Sequence, residues 1–147
     1  LTIGGILGGV LISKDGLKKW MLPMVLSINV PNAFYAFLAI TNTTNKFAVI
    51  TTVVLEQFGY GFGIAGFMVY LIYIAEGASK TSHYALATGF MALGMMLPGL
   101  VSGYIQEWLG YDGFFIWVVI GALPAIFILK YLKYPADYGK KGANSEA

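Results

Sequence analysis

Long apolar stretches separated by short polar gaps dominate the pattern of this sequence. Four stretches carry no formal charge, namely residues 20–45, 57–75, 81–106 and 113–129. A helix that crosses the hydrocarbon core of a bilayer needs roughly 20 mostly apolar residues. The pattern therefore predicts membrane spans at about 1–12 (partial), 20–40, 47–75, 83–106 and 113–132. We expect an all-α fold, a polytopic membrane helix bundle.

The composition supports a membrane protein and excludes several other classes. Hydrophobic residues make up 58% of the chain and charged residues only 11%, whereas soluble domains average about 25% charged residues. The net charge of +2 is too small to indicate binding to nucleic acid. The chain has no cysteine, so disulfides and cysteine-based metal sites are excluded, and we predict no cofactor and no metal.

The distribution of lysine predicts the orientation in the membrane. If the gap after the first span is cytoplasmic, eight of the nine lysines fall on that side and only Lys46 falls on the other. Cytoplasmic loops carry an excess of positive charge, so the C-terminus is expected in the cytoplasm, with residues 135–147 as a disordered tail. Because the chain begins inside an apolar run, we expect it to be the C-terminal part of a larger membrane protein.

The gap after the first span contains a recognisable loop pattern. Two glycines and a set of polar residues make it up: Gly9, Ser13, Lys14, Asp15, Gly16, Lys18 and Lys19. The pattern resembles the loop signature of the major facilitator superfamily, which is found after the second helix and, in a looser copy, after the eighth. Ser13 replaces the acidic residue of that signature, as suits the looser copy. The resemblance implies a gating loop and the last helices of a twelve-helix major facilitator fold.

A narrower resemblance runs from Glu56 to Tyr111. Its motifs are Glu56-Gln57-Phe58-Gly59, Tyr84-Ala85-Leu86, Pro98-Gly99-Leu100-Val101-Ser102-Gly103 and Leu109-Gly110-Tyr111. They are similar to the muropeptide permease and acetyl-CoA transporter family. The resemblance implies proton-driven import of a small-molecule substrate across the bacterial inner membrane, with the remaining N-terminal helices as partners in the full-length transporter.

Glu56 is the one charged residue that lies well inside a long apolar segment. A charge at the centre of a span costs at least about 2.5 kcal/mol, and intramembrane ionisable residues are commonly functional. Apolar surroundings disfavour the charged carboxylate, so Glu56 can alternate between protonated and charged forms. We predict that Glu56 couples proton movement to transport. The alternative is a structural hydrogen bond to another helix.

Other residues within the spans are candidates for binding or for packing. Polar side chains that could bind substrate, or instead join helices by hydrogen bonds, are Asn29, Asn32, Gln57, Tyr60 and Tyr70. Small residues let transmembrane helices approach closely, so five glycines are predicted at helix contacts: Gly59, Gly63, Gly66, Gly99 and Gly103.

Three alternatives to a muropeptide importer remain open. The chain could belong to a sugar or other organic-solute carrier of the same superfamily. A membrane-embedded transferase would need a cluster of histidine and acidic residues at an interface, and His83 has no such partner nearby in sequence. A membrane scaffold without transport would not explain the charge of Glu56. We therefore predict a transporter and not an enzyme.

Overall fold

The computed structural model describes residues 1–142. In this range the chain forms four α-helices and one short 3-10 helix, without strands. The helices are α1 (Thr2–Asp15), α2 (Leu17–Ile40), α3 (Lys46–Ile74) and α4 (Lys80–Ile128), and the 3-10 helix is Leu129–Tyr131. The predicted all-α class is confirmed.

Three of these helical stretches are long and apolar enough to cross a membrane: Leu17–Ile40, Lys46–Ile74 and Lys80–Tyr131. Helix α1 has 14 residues, which at about 1.5 Å per residue is shorter than a bilayer core of about 30 Å. The ranges 83–106 and 113–132, predicted as two spans, fall within the single stretch Lys80–Tyr131 except for the last residue, Leu132. Gly110 interrupts its helical geometry with φ 72° and ψ 175°, so α4 consists of two helical parts that meet at this glycine.

Glycines let α3 approach both α1 and α2 at backbone distance. A Cβ atom at Gly59 would collide with the backbone oxygen of Ser27 in α2, and one at Gly63 with the side chain of Ile28. A Cβ at Gly66 would lie only 2.5 Å from the sulfur of Met24. On the α1 side, a Cβ at Gly4 would collide with the backbone oxygen of Phe58. At Gly4, Gly59 and Gly63 the obstacle includes backbone atoms, so any larger residue there would push two helices apart, whereas at Gly66 the flexible Met24 side chain could move aside.

The small core lies where α1, α2 and α3 meet near the α1–α2 junction. Its buried side chains are Ile12, Leu17, Met21, Met24 and Phe62. Trp20 packs edge-on against Phe62, with ring centroids 6.1 Å apart. Because close packing is concentrated at this end, we expect α1, α2 and α3 to behave as one unit.

Helix α4 contributes no buried residue and presents large apolar side chains all round. Leu100 is 67% exposed and Trp108 is 85% exposed. Cβ atoms at Gly99 and Gly103 would meet nothing within 4 Å, so within residues 1–142 these two glycines lie at no helix contact. A surface this apolar needs lipid or further helices around it.

Two local predictions are corrected by the structure. The expected polar loop at residues 13–19 is almost entirely helical, because the positive φ of Gly16 (89°) allows α1 to reverse directly into α2. The expected disordered tail is instead ordered over residues 135–142, with a turn at 136–139 that packs on this junction. Residues 143–147, also part of that prediction, lie outside the described residues.

Candidate functional site

The carboxylate of Glu56 is bound by a tyrosine on the neighbouring helix. The Tyr35 hydroxyl in α2 donates a hydrogen bond of 2.8 Å to Oε2 of Glu56 in α3. Both side chains are half-buried. Within the described part of the chain no lysine forms an ion pair with Glu56, since the ion pair found there joins Lys19 to Asp15. A hydrogen bond to a charged group contributes about 1.5–3 kcal/mol, so this bond strengthens the contact between α2 and α3 when Glu56 is charged.

Tyr35 also connects this pair to α4. Its ring stacks on Phe115, with centroids 5.8 Å apart and an interplanar angle of 16°. Both rings line an open cavity of about 380 Å³ at the end of α2, together with Asn42, Thr43 and Asp112. Tyr35 therefore lines a mostly apolar open cavity, and its hydroxyl also reaches the carboxylate of Glu56. Three helices meet at this tyrosine.

Tyr35 is not among the residues predicted from the sequence. The pairing depends on which residues of α2 face α3, and no spacing pattern along the chain gives that register. The available signal was chemical, because a tyrosine inside an apolar span needs a partner for its hydroxyl. Glu56, 21 residues further along, is a suitable acceptor in the following helix.

The predicted substrate-binding residues are not gathered at one place. The Asn29 side-chain amide donates to the carbonyl of Val25 in its own helix (2.7 Å), and Asn32 is half-buried. Gln57 is exposed, and Tyr60 is half-buried one turn from Glu56. Tyr70 packs edge-on against Tyr134 near the opposite end of α3, with ring centroids 5.6 Å apart. Of these five residues, Gln57 and Tyr60 lie within one helical turn of Glu56.

The residues that resemble a gating loop form the α1–α2 junction. Asp15 accepts a hydrogen bond from the Trp20 indole (3.0 Å) and lies 3.1 Å from the Lys19 ammonium group. The hydrogen bond with Lys19, and then that with Trp20, lowers the pKa of Asp15 below its usual value. Ser13 donates to the carbonyl of Val10 (2.9 Å), while Lys14 and Lys18 are exposed. A Cβ at Gly9 would meet nothing within 4 Å, so this glycine lies at no helix contact within residues 1–142.

The site brings together a carboxylate and a phenol, and both groups can take part in hydrogen bonds. Among residues 1–142 no group of three or more histidine, aspartate or glutamate side chains could hold a metal ion. A carboxylate paired with a phenol can take up and release a proton, and each change alters the strength of the bond between α2 and α3.

Comparison with known proteins points to transporters. A Rickettsia felis protein described as transporter AmpG 4 is 28% identical over 131 residues, which cover 88% of this chain and 31% of the relative. The anhydromuropeptide permease of Escherichia coli is 24% identical over 142 residues, covering 97% of this chain and 29% of the relative. A Rickettsia prowazekii protein described as transporter AmpG 1 is 22% identical over 131 residues, covering 89% of this chain and 29% of the relative.

No family model matches the chain, and no solved structure matches it at a significant level. The chain spans about 30% of the length of the curated relatives that it matches. The similarity nevertheless extends over almost all of this chain, well beyond residues 56–111 that carried the narrower resemblance. Together with the apolar helices, it confirms a multi-pass membrane protein that is similar to the AmpG transporters and anhydromuropeptide permeases.

Proposed function

We propose that this chain supplies the last helices of a proton-coupled importer for muropeptide-type substrates. The observation that carries the proposal is the hydrogen-bonded pair of Tyr35 and Glu56, located between apolar helices of a chain similar to permeases. An ionisable residue inside a membrane commonly marks an ion or substrate pathway. The substrate, the proton and the lipid bilayer are then the partners of the protein.

The protonation state of Glu56 is the proposed coupling variable. While Glu56 is charged, it is held by Tyr35, and Tyr35 is in turn stacked on Phe115 of α4. Protonation weakens this hydrogen bond and so loosens the connection between α2, α3 and α4. A change in the relative free energies of two arrangements is what coupling by alternating access requires. Gln57 and Tyr60 are the nearest proposed contacts for substrate, whereas Asn29, Asn32 and Tyr70 lie farther along the helices.

The remaining helices of a major facilitator fold are proposed to cover α4. Transporters of this kind bind substrate between two halves near the bilayer midplane. The exposed apolar surface of α4 and the coverage of about 30% of the relatives' length both support additional upstream helices. Gly99 and Gly103 would then lie at contacts with those helices, and no such contact is available within residues 1–142.

Substrate uptake by the full-length protein tests the proposal. Cells that lack their own permease would express it and receive labelled anhydro-muropeptide, sugar or acetyl-CoA. We expect uptake of the muropeptide that unlabelled muropeptide, but not sugar, competes away. Uptake of sugar alone would favour the alternative of an organic-solute carrier, and uptake of none of the three would contradict the proposal.

Removing only the Tyr35 hydroxyl should weaken coupling without abolishing transport. In Tyr35→Phe the ring can still stack on Phe115, but the hydrogen bond to Glu56 is lost. We expect proton-driven accumulation to fall roughly tenfold, because a bond to a charged group is worth more than about 1.4 kcal/mol. Tyr104→Phe is the matched control, since the Tyr104 hydroxyl forms no hydrogen bond within residues 1–142. Equal accumulation in both variants would show that Tyr35 has no role in coupling.

The proposed orientation can be tested with single cysteines, because the chain contains none of its own. The inner-membrane location with a cytoplasmic C-terminus places Thr43 outside, and Ser79 and Asn144 inside. In intact cells, a membrane-impermeant thiol reagent should label Thr43→Cys and spare Ser79→Cys and Asn144→Cys. Labelling of Asn144→Cys from outside would reverse the orientation.

A further inference from the structure

The C-terminal segment (residues 135–141) joins the ends of two helices through backbone hydrogen bonds. The Leu17 amide at the start of α2 donates to the carbonyl of Tyr138 (2.9 Å). The Lys141 amide donates to the carbonyl of Ser13 in the last turn of α1 (2.7 Å). Amides at the start of a helix and carbonyls at its end lack partners in their own helix. The C-terminal segment therefore caps both helices at the α1–α2 junction.

Side chains attach the same segment to the end of α3. The Tyr138 hydroxyl donates to Oε1 of Glu76 (2.7 Å), and its ring packs edge-on against Tyr73 with centroids 4.8 Å apart. Burial, and then the hydrogen bond to Glu76, raise the pKa of Tyr138 to about 12. The hydroxyl thus keeps its proton, and remains a donor, throughout the physiological pH range. Just before the segment, Tyr134 packs on Tyr70 of α3.

The fit between segment and junction leaves no room for larger residues. Gly16 is buried with φ 89°, and a Cβ there would lie 2.6 Å from the carbonyl oxygen of Ala136. Gly139 has φ 80°, and a Cβ there would lie 2.8 Å from Cγ2 of Ile12, which is 2% exposed. Glycine is therefore required at both positions, Gly16 in the junction and Gly139 in the segment, because φ is positive and the neighbouring atoms are close. The segment covers part of the core of the three-helix unit.

We propose that the C-terminal segment is a latch that holds the α1–α2 junction against the end of α3 and closes this end of the bundle. The latch joins three helices through backbone caps, an aromatic contact and one exposed side-chain hydrogen bond. Movement of the α1–α2 junction away from α3 therefore requires its release. The additional inference that the latch is released during substrate passage rests on the proposed function.

Accessibility of a buried reporter tests the latch without any transport. Ile12→Cys would be made in the full-length protein, free of other cysteines, and its reaction with a maleimide followed in inside-out membrane vesicles. Adding Tyr138→Ala should accelerate labelling roughly tenfold, because a hydrogen bond and an aromatic contact are lost. Tyr138→Phe should give a smaller increase. Tyr131→Ala is the control, since Tyr131 is 81% exposed. Equal rates in Tyr138→Ala and Tyr131→Ala would overturn the proposal.

A reversible cross-link tests the release and does not depend on the reporter. Ser13→Cys combined with Lys141→Cys should form a disulfide on oxidation, because the backbones of these residues are hydrogen-bonded. Thr43→Cys combined with Lys141→Cys, at opposite ends of α2, should not. Oxidation should reduce muropeptide uptake to near zero and a reductant should restore it. Failure to cross-link, or full uptake by the cross-linked protein, would overturn the latch. Absence of uptake in the reduced parent protein would count against the proposed function and leave the labelling result to decide the latch.

Discussion

Glu56→Gln is expected to abolish proton-driven accumulation of substrate while exchange of substrate across the membrane survives. Glutamine keeps the size of the side chain, and its amide oxygen can still accept the hydrogen bond from Tyr35. Glutamine cannot take up or release a proton, so the proton gradient can no longer drive the accumulation of substrate. The fold should be unaffected, because removing a charge from the hydrocarbon core lowers the free energy of insertion.

The measurement compares accumulation and exchange in vesicles that carry the full-length protein. Accumulation is followed with an imposed proton gradient, and exchange is followed without a gradient between labelled and unlabelled substrate. Glu107→Gln makes the same chemical change at an exposed position near Gly110 and should leave both activities unaltered. If Glu56→Gln accumulates substrate as well as the parent does, Glu56 has a structural role and coupling lies elsewhere.

Gly59→Leu is expected to lower the stability of the unit formed by α1, α2 and α3 more than the other substitutions proposed in these helices. A Cβ at this position would collide with the Ser27 backbone, and the Ser27 hydroxyl also donates to the Gly59 carbonyl at 3.0 Å. Overpacking in a close-packed interior costs about 1–3 kcal/mol and occasionally more. Because two backbones must separate, we expect a loss of about 3 kcal/mol.

Thermal unfolding of the 147-residue chain in detergent measures this effect. Gly9→Leu is the matched control, since a Cβ at Gly9 would meet nothing within 4 Å. The control should unfold at the parent temperature or slightly above it, because leucine favours a helix over glycine by nearly 1 kcal/mol. Equal unfolding temperatures for the two variants would contradict the close α2–α3 contact.

The helical class could be predicted from the sequence because it depends on hydrophobic length alone. The apolar stretch at 47–75 and helix α3 (Lys46–Ile74) agree within a residue at each end. Local backbone geometry was harder to predict. Gly16 turns the chain in a single residue, so most of the expected loop became helix. The order of residues 135–142 depends on contacts with α1, α2 and α3 that no local composition reveals.

Of the two residues that form the candidate site, only Glu56 could be predicted from the sequence. Glu56 is distinctive because a charge within an apolar segment is costly. Its partner Tyr35 depends on helix register, which no spacing pattern along the chain gives. The pattern of the sequence indicates which residues are costly in a membrane, whereas the packing of the helices determines which residues they contact.

The most direct test of the central claim is the movement of protons together with muropeptide. The full-length protein would be reconstituted in liposomes that contain a trapped pH indicator, and anhydro-muropeptide would be added outside without an imposed gradient. We expect acidification of the interior that depends on substrate, is absent in Glu56→Gln and persists in Glu107→Gln. Muropeptide entry without any change in internal pH would contradict proton coupling through Glu56.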